Sequence, residues 1–169
     1  EHIISMHKKI LIIGNSGSGK SSLAKLISQS ENIVSLDLDT YAWTKSSPPQ
    51  RVPAKEAIKK IQNIIMEIES WVIEGCYTDL LDLLSPQANE LIYLNLPIEL
   101  CIENAKKRPW EPHKFDSKNA QDKKLKMLKD WISQYETRDD VFSQKTHLKF
   151  YDSFTNKKQM YTKNIELEI

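Results

Sequence analysis

Eight residues near the start, Gly14-Asn15-Ser16-Gly17-Ser18-Gly19-Lys20-Ser21, constrain this chain more than any other stretch. They fit the pattern G-x-x-x-x-G-K-[ST] at every fixed position. Three of the chain's four glycines sit here. Glycine lets the backbone curl so that successive N–H groups point inward and cradle an anion. Lys9 to Ile13, just before the loop, is a continuous branched apolar run and reads as a fully buried strand. After the loop, Leu23, Ala24, Leu26 and Ile27 recur at helical spacing. A helix over Lys20 to Ser30 would add its positive dipole end to the cradle. Strand, glycine loop and helix in that order form a P-loop, which holds the phosphates of a nucleoside triphosphate. The loop and Ser22 are expected to contact the nucleotide. Lys20 should reach the β- and γ-phosphates, and the Ser21 hydroxyl should ligate Mg²⁺.

The remainder alternates strands and helices. Ile33 to Leu38, Trp71 to Ile73 and Leu91 to Leu96 read as short strands, the last closed by Pro97. Ala54 to Ser70 is an amphipathic helix with Ala57, Ile58, Ile61, Ile64, Ile65 and Ile68 on one face. Ile98 to Lys107 reads as a helix and Arg108 to Ser117 as a polar, proline-broken loop. The pattern predicts a long helix over Ala120 to Thr137, with Leu125, Leu128, Trp131, Ile132 and Tyr135 inside. A last strand is expected at Leu148 to Tyr151 and a terminal helix at Asn156 to Lys163. Such alternation implies an α/β domain with a mostly parallel sheet covered on both faces. Ligands bind such sheets at the carboxyl ends of the strands.

The 169 residues suit one domain, 1–169, and the few residues ahead of Met6 (1–5) read as an upstream extension. A formal net charge of +1 offers no concentrated positive field for nucleic acid or a membrane surface. Two separated cysteines, Cys76 and Cys101, make neither a disulfide scaffold nor a CxxC pair, and suggest reduced thiols in the cytoplasm. No apolar run is long enough to span a bilayer.

Acids follow two other strands. Asp37 and Asp39 leave the second with the spacing D-x-D, and Glu74 leaves the third. Asp39 is the candidate for acceptor binding, as the base that orients or deprotonates a hydroxyl. Asp37 is the candidate metal-side acid with Ser21. Glu74, with Gly75 and Tyr77, is placed near the metal's water shell or the acceptor. The same acids could simply cap the turns they open. The chain has three arginines, Arg51, Arg108 and Arg138. Arginine's planar fork suits phosphate oxygens. Arg108 opens the loop RPWEPHKF and Arg138 ends QYETRDD, so both are candidate catalytic cations beside Lys20. The lysines of Lys118 to Lys129 read as a solvated helix face.

In order, the P-loop, LDLDTYAW, WVIEGCY, LIYLNLP, RPWEPHKF and WISQYETRDD resemble the small bacterial P-loop kinase-like proteins related to adenylate kinase and shikimate kinase. That group includes the topology modulation proteins, and the likeness runs from Lys8 to about Lys158. The resemblance implies a P-loop NTPase three-layer sandwich with a five-stranded parallel sheet, adenylate kinase-like, with a short lid at about 108–118. It also implies ATP as the nucleotide and a pocket for a small-molecule acceptor around the acids. Two features depart from shikimate kinases. Glu74-Gly75-Cys76-Tyr77 stands where they carry a glycine triplet, and Arg51 lies well beyond the second strand, in a proline-rich loop.

The expectation is therefore an ATP- and Mg-dependent phosphotransferase acting on an unidentified small-molecule acceptor, as a monomer or homodimer. A nucleotide-switched protein acting on a protein partner is the alternative. A polynucleotide 5′-kinase fits less well, given the balanced charge.

Overall fold

A computed structural model of the chain describes residues 7–165, so the expected upstream extension lies outside the described residues. Five strands, β1 (Lys9–Gly14), β2 (Val34–Asp37), β3 (Trp71–Gly75), β4 (Glu90–Leu94) and β5 (Lys157–Tyr161), form one sheet. Its order is β2-β3-β1-β4-β5, and every neighbouring pair is parallel. The helices are α1 (Lys20–Glu31), α2 (Asp39–Ala42), α3 (Ala54–Ile65), α4 (Thr78–Leu84), α5 (Ile98–Lys106), α6 (Lys118–Lys123), α7 (Leu125–Ser133) and α8 (Gln144–Ser153).

Successive strand residues point to opposite faces, and the core divides accordingly. Leu11, Ile13, Ile73, Leu91 and Tyr93 pack with α3, α4 and α8 on one face. Ile10, Ile12, Val72, Ile92 and Leu94 pack with α1, α5 and α7 on the other. This is the expected three-layer sandwich. The middle strands are apolar along most of their length because both faces are covered, with charged residues only at their ends. The edge strands β2 and β5 stay largely exposed, and β5 begins Lys157-Lys158, charges that discourage further pairing.

Three expectations need correction. First, the ends of the chain are exchanged. Residues 148–151, expected as a strand, lie within helix α8, and Asn156 to Lys163, expected as a helix, holds β5. The Ser143 hydroxyl accepts from the Thr146 N–H and caps α8, whose buried His147 and Phe150 stand three apart. The sequence KKQMY has no strand signature and is extended because β4 offers it a free edge. Second, the long helix is two, α6 and α7. Lys124, at φ −88° and ψ −2°, ends one and begins the other, and Ser117 caps α6 through the Ala120 N–H. Third, α3 stops at Ile65. Its buried face is Ala57, Ile58, Ile61 and Ile65, and Ile64 is exposed. Helix α4, which carries buried Leu80, Leu81 and Leu84, went unread.

Parallel register brings the functional segments to one end of the sheet. Asp37 stands opposite Glu74, Gly75 opposite Ile13, and Gly14 opposite Leu94.

Candidate active site

The phosphate loop leaves β1 at Gly14 and enters α1 at Lys20. Its glycines answer two demands. Gly17 takes φ +81°, and a Cβ there would fall 2.2 Å from the Cys101 carbonyl oxygen of α5. Gly19 takes φ +92° with open space around it, so only backbone conformation calls for glycine. Around this frame Asn15 is buried. Its amide donates to the Ile132 carbonyl at 3.2 Å and its side-chain oxygen accepts from the Ser16 N–H at 2.8 Å. Asn104 of α5 donates to the Gly17 carbonyl at 2.8 Å. The Ser18 hydroxyl is buried without a hydrogen-bond partner, as an atom awaiting a ligand would be. Lys20 Nζ folds back onto the Asn15 carbonyl at 2.8 Å, while Ser21 and Ser22 are exposed at the mouth. A cavity of about 480 Å³ runs from Gly17 to Leu23 and on to Asn104, Lys107 and Arg108. Curled glycines, an unpartnered hydroxyl and facing cations fit a triphosphate.

The Ser21 hydroxyl donates to Glu74 Oε2 at 2.9 Å. Glu74 is the last side chain of β3 and is 4% exposed. Burial and then the neighbouring Asp37 push its carboxyl up to about 7, against the pull of Lys20 and the Ser21 hydrogen bond. The carboxylate that meets Ser21 is thus Glu74, with Asp37 alongside across the β2–β3 register. Burial and Asp39 hold the Asp37 carboxyl above its ordinary value. Gly75 packs its α-carbon against Leu38, where a Cβ would lie 2.8 Å from that side chain. This closeness keeps the end of β3 against the turn that carries the aspartates.

Asp39 opens α2, and Asp37 accepts its N–H at 2.9 Å, so Asp37 does cap the turn it opens. The Tyr77 hydroxyl donates to Asp39 Oδ1 and accepts from Trp43 Nε1 at 2.8 Å. On its other oxygen Asp39 takes Lys114 Nζ at 3.1 Å. Burial alone would raise the Asp39 carboxyl, but Lys114, Tyr77 and Lys20 outweigh it and hold it below the usual carboxylate range. Burial foremost pushes the Tyr77 hydroxyl well above its ordinary value, so it stays a donor.

The three arginines go to different places. Arg108 lines the nucleotide cavity and pairs with Glu111 at 3.2 Å. Arg138 stacks 3.5 Å above the Trp131 ring and pairs with Asp140 at 3.1 Å. Arg51 is not remote. The proline-rich loop closes on itself through Thr44 N–H to the Gln50 carbonyl and Val52 N–H to the Ala42 carbonyl, each at 2.8 Å. That fold returns the Arg51 guanidinium to 4.9 Å from the Tyr77 ring, paired with Asp79 at 2.9 Å. Phe142 lies under both Arg51 and Arg138, at 5.7 and 6.0 Å. Lys114, Glu111, Trp43, Asn104 and Phe142 were missed as site residues. For two of them a signal existed. Glu111-Pro112-His113-Lys114 is a turn with proline in second place, which brings Glu111 and Lys114 together at 3.4 Å.

A five-stranded parallel sheet with a P-loop after its central strand defines a small P-loop, kinase-like nucleotide-binding protein. The model of the AAA domain family matches residues 10–126, and the chain belongs to that family. It is 24% identical over 134 residues to uncharacterized protein YqaC of Bacillus subtilis (strain 168), across 78% of this chain and 74% of that protein. Similar solved structures include a gluconokinase from Sinorhizobium meliloti 1021, at TM-score 0.48 and 16% identity over 80% of this chain and 79% of that one. A shikimate kinase from Bacteroides thetaiotaomicron gives TM-score 0.48 and 15% identity, over 92% and 85%. A shikimate kinase from Acinetobacter baumannii, in complex with shikimate, gives 0.43 and 15%, over 89% and 97%. At these scores none of the three bears on what this chain acts upon. No helix among the described residues is long and apolar enough to cross a membrane.

Proposed function

We propose that the chain transfers the γ-phosphoryl group of Mg-ATP to a hydroxyl of a small-molecule acceptor, and that it works in the cytoplasm. The observation that carries this reading is the meeting of two chemistries at one end of the sheet. Ser21, in the phosphate loop, donates to Glu74 at the end of β3, and Asp37 and Asp39 stand beside Glu74 at the end of β2. A protein that only bound nucleotide would need the metal-side acid but not a second, Tyr77-oriented carboxylate beside it.

Each residue has a role in this reading. The backbone of Gly14 to Lys20 cradles the phosphates, and Lys20 neutralises charge on the transferring group. Ser21, Glu74 and Asp37 would hold Mg²⁺, which would supply charge neutralisation on the phosphate oxygens. Asp39, oriented by Tyr77, accepts the proton of the acceptor hydroxyl. The oxygen of that hydroxyl forms the new bond to phosphorus as the bond to ADP breaks, so acceptor and ATP yield phosphorylated acceptor, ADP and a proton. Arg108 approaches the phosphates from the lid, and Arg138 and Arg51 give the acceptor side its positive charge. Gly75 keeps that wall close.

The test is ADP release from Mg-ATP by the purified protein, alone and with pooled metabolites, beside a Lys20→Ala control. One pool raising the rate manyfold supports a metabolite kinase, and fractionating it names the acceptor. A slow rate that no pool changes, with nucleotide bound tightly, favours a nucleotide switch.

A further inference from the structure

One lid side chain stands where an acceptor would. Lys114 Nζ lies 3.1 Å from Asp39 Oδ2, 3.6 Å from Asp37 Oδ2 and 3.4 Å from Glu111 Oε2. The other oxygen of Asp39 is taken by Tyr77, so each carboxylate oxygen has one partner. A hydroxyl that takes either partner's position displaces it. Tyr77 is 3% exposed and tied to Trp43. Lys114 sits on an exposed turn and is the partner free to leave. When it leaves it is not stranded, because Glu111 belongs to the same turn and travels with it. Glu111 also pairs with Arg108, so one carboxylate joins the lid's nucleotide-side cation to its acceptor-side cation.

We propose that Lys114 is a specificity-determining gate, whose ammonium holds Asp39 until an acceptor hydroxyl replaces it and thereby keeps water from taking the phosphoryl group. This rests on the phosphotransferase reading above. The reaction being suppressed is ATP and water giving ADP and inorganic phosphate. In it the water oxygen bonds to phosphorus, the bond to ADP breaks, and Asp39 takes the water's proton. Lys114 opposes it by filling the Oδ2 position from which water would be activated. An acceptor with further contacts to the pocket can compete for that position, whereas a lone water cannot.

The experiment uses Lys114→Met, which keeps the stem and loses the ammonium, beside Lys114→Arg, which restores a cation. ADP release from Mg-ATP is measured without acceptor, and nucleotide affinity with a fluorescent ATP analogue. Lys114→Met should raise acceptor-free ADP release about tenfold, a part of the 10²–10⁴-fold that a general base typically contributes. Lys114→Arg should stay near the wild-type rate, and Lys114→Met combined with Asp39→Asn should fall back to it or below. A damaged lid lowers turnover, so a rise dependent on Asp39 is not a structural effect. The gate is overturned if Lys114→Met binds nucleotide but releases ADP no faster than wild type, or if the rise survives Asp39→Asn. Failure of the underlying reading looks different. Wild type would then fail to bind the analogue, or Lys20→Ala would release ADP as fast as wild type.

Discussion

The Ser21 hydroxyl and the Glu74 carboxylate meet at 2.9 Å across 53 residues of chain, joining the mouth of the phosphate loop to the end of the neighbouring strand. Glutamine at position 74 can still accept from Ser21 but carries no charge. Glu74→Gln should therefore fold normally and bind nucleotide unchanged in EDTA. It should lose most of the affinity that magnesium adds, and ADP release should drop about 10–100-fold, the usual cost of disturbing a metal's surroundings. Titrating a fluorescent ATP analogue with and without magnesium checks this, and an intact magnesium response would sink the assignment.

Lys20 contributes little to the fold in this structure, its ammonium resting on the Asn15 carbonyl alone. Lys20→Ala should abolish ADP release and cost about 1 kcal/mol or less, a melting shift of about 3 °C. Unchanged ADP release from a folded variant would overturn the reading of the loop.

The two left-handed glycines should behave unequally. Gly19→Ala meets only conformational strain, about 1–2 kcal/mol. Gly17→Ala adds a Cβ 2.2 Å from the Cys101 carbonyl, which the backbone of α5 must move to admit. We expect Gly17→Ala to cost about 3 kcal/mol in all, combining strain and overpacking. Thermal melts of the two variants side by side decide it, and equal melting temperatures would show that α5 yields freely.

Two buried groups pull stability in opposite directions with pH. His147 is fully buried, and its Nε2 lies 2.8 Å from the Cys76 carbonyl. That nitrogen must be the donor, so Nδ1 accepts from Tyr135, whose oxygen in turn accepts from Tyr93. Burial foremost lowers its proton affinity from 6.5 to about 4. The folded value is depressed, so the stability this group gives is present above 6.5 and is lost as pH falls through about 4. Glu74 is raised from 4.5 to about 7, so its share is present below 4.5 and is lost as pH rises through about 7. Each amounts to about 3 kcal/mol at most, and the two largely offset. In metal-free buffer, wild-type urea midpoints at pH 7.5 and 4.5 should differ little from this pair. His147→Leu, less stable at pH 7.5, should gain on acidification, and Glu74→Gln should lose. Parallel shifts in both variants would contradict the assignment.

The phosphate loop was legible because its requirements are local: glycines for curl, a strand before and a helix after. The placement of Asp39 and Glu74 at one end of the sheet was legible because it needs only the strand boundaries. The Ser21–Glu74 pairing needs the order of strands in space, which sequence alone does not supply. The return of Arg51 to Tyr77 depends on how one loop closes, and Lys114 on where the lid comes to rest. The exchange of α8 and β5 has the same origin. Neither segment's composition foretells that β4 has a vacant edge, and β5 exists because that edge is there.

The phosphate loop is held in shape by parts of the chain that are made much later than the loop itself. Gly14 lies close against the Leu94 carbonyl and Gly17 against that of Cys101, and Asn104 grips the Gly17 carbonyl from 87 residues further on. A growing chain that has exposed only its first strand and helix owns the motif but not the nest. Nucleotide therefore becomes a ligand only once α5 has docked, and its binding reports completion of the sheet's centre rather than the presence of the loop.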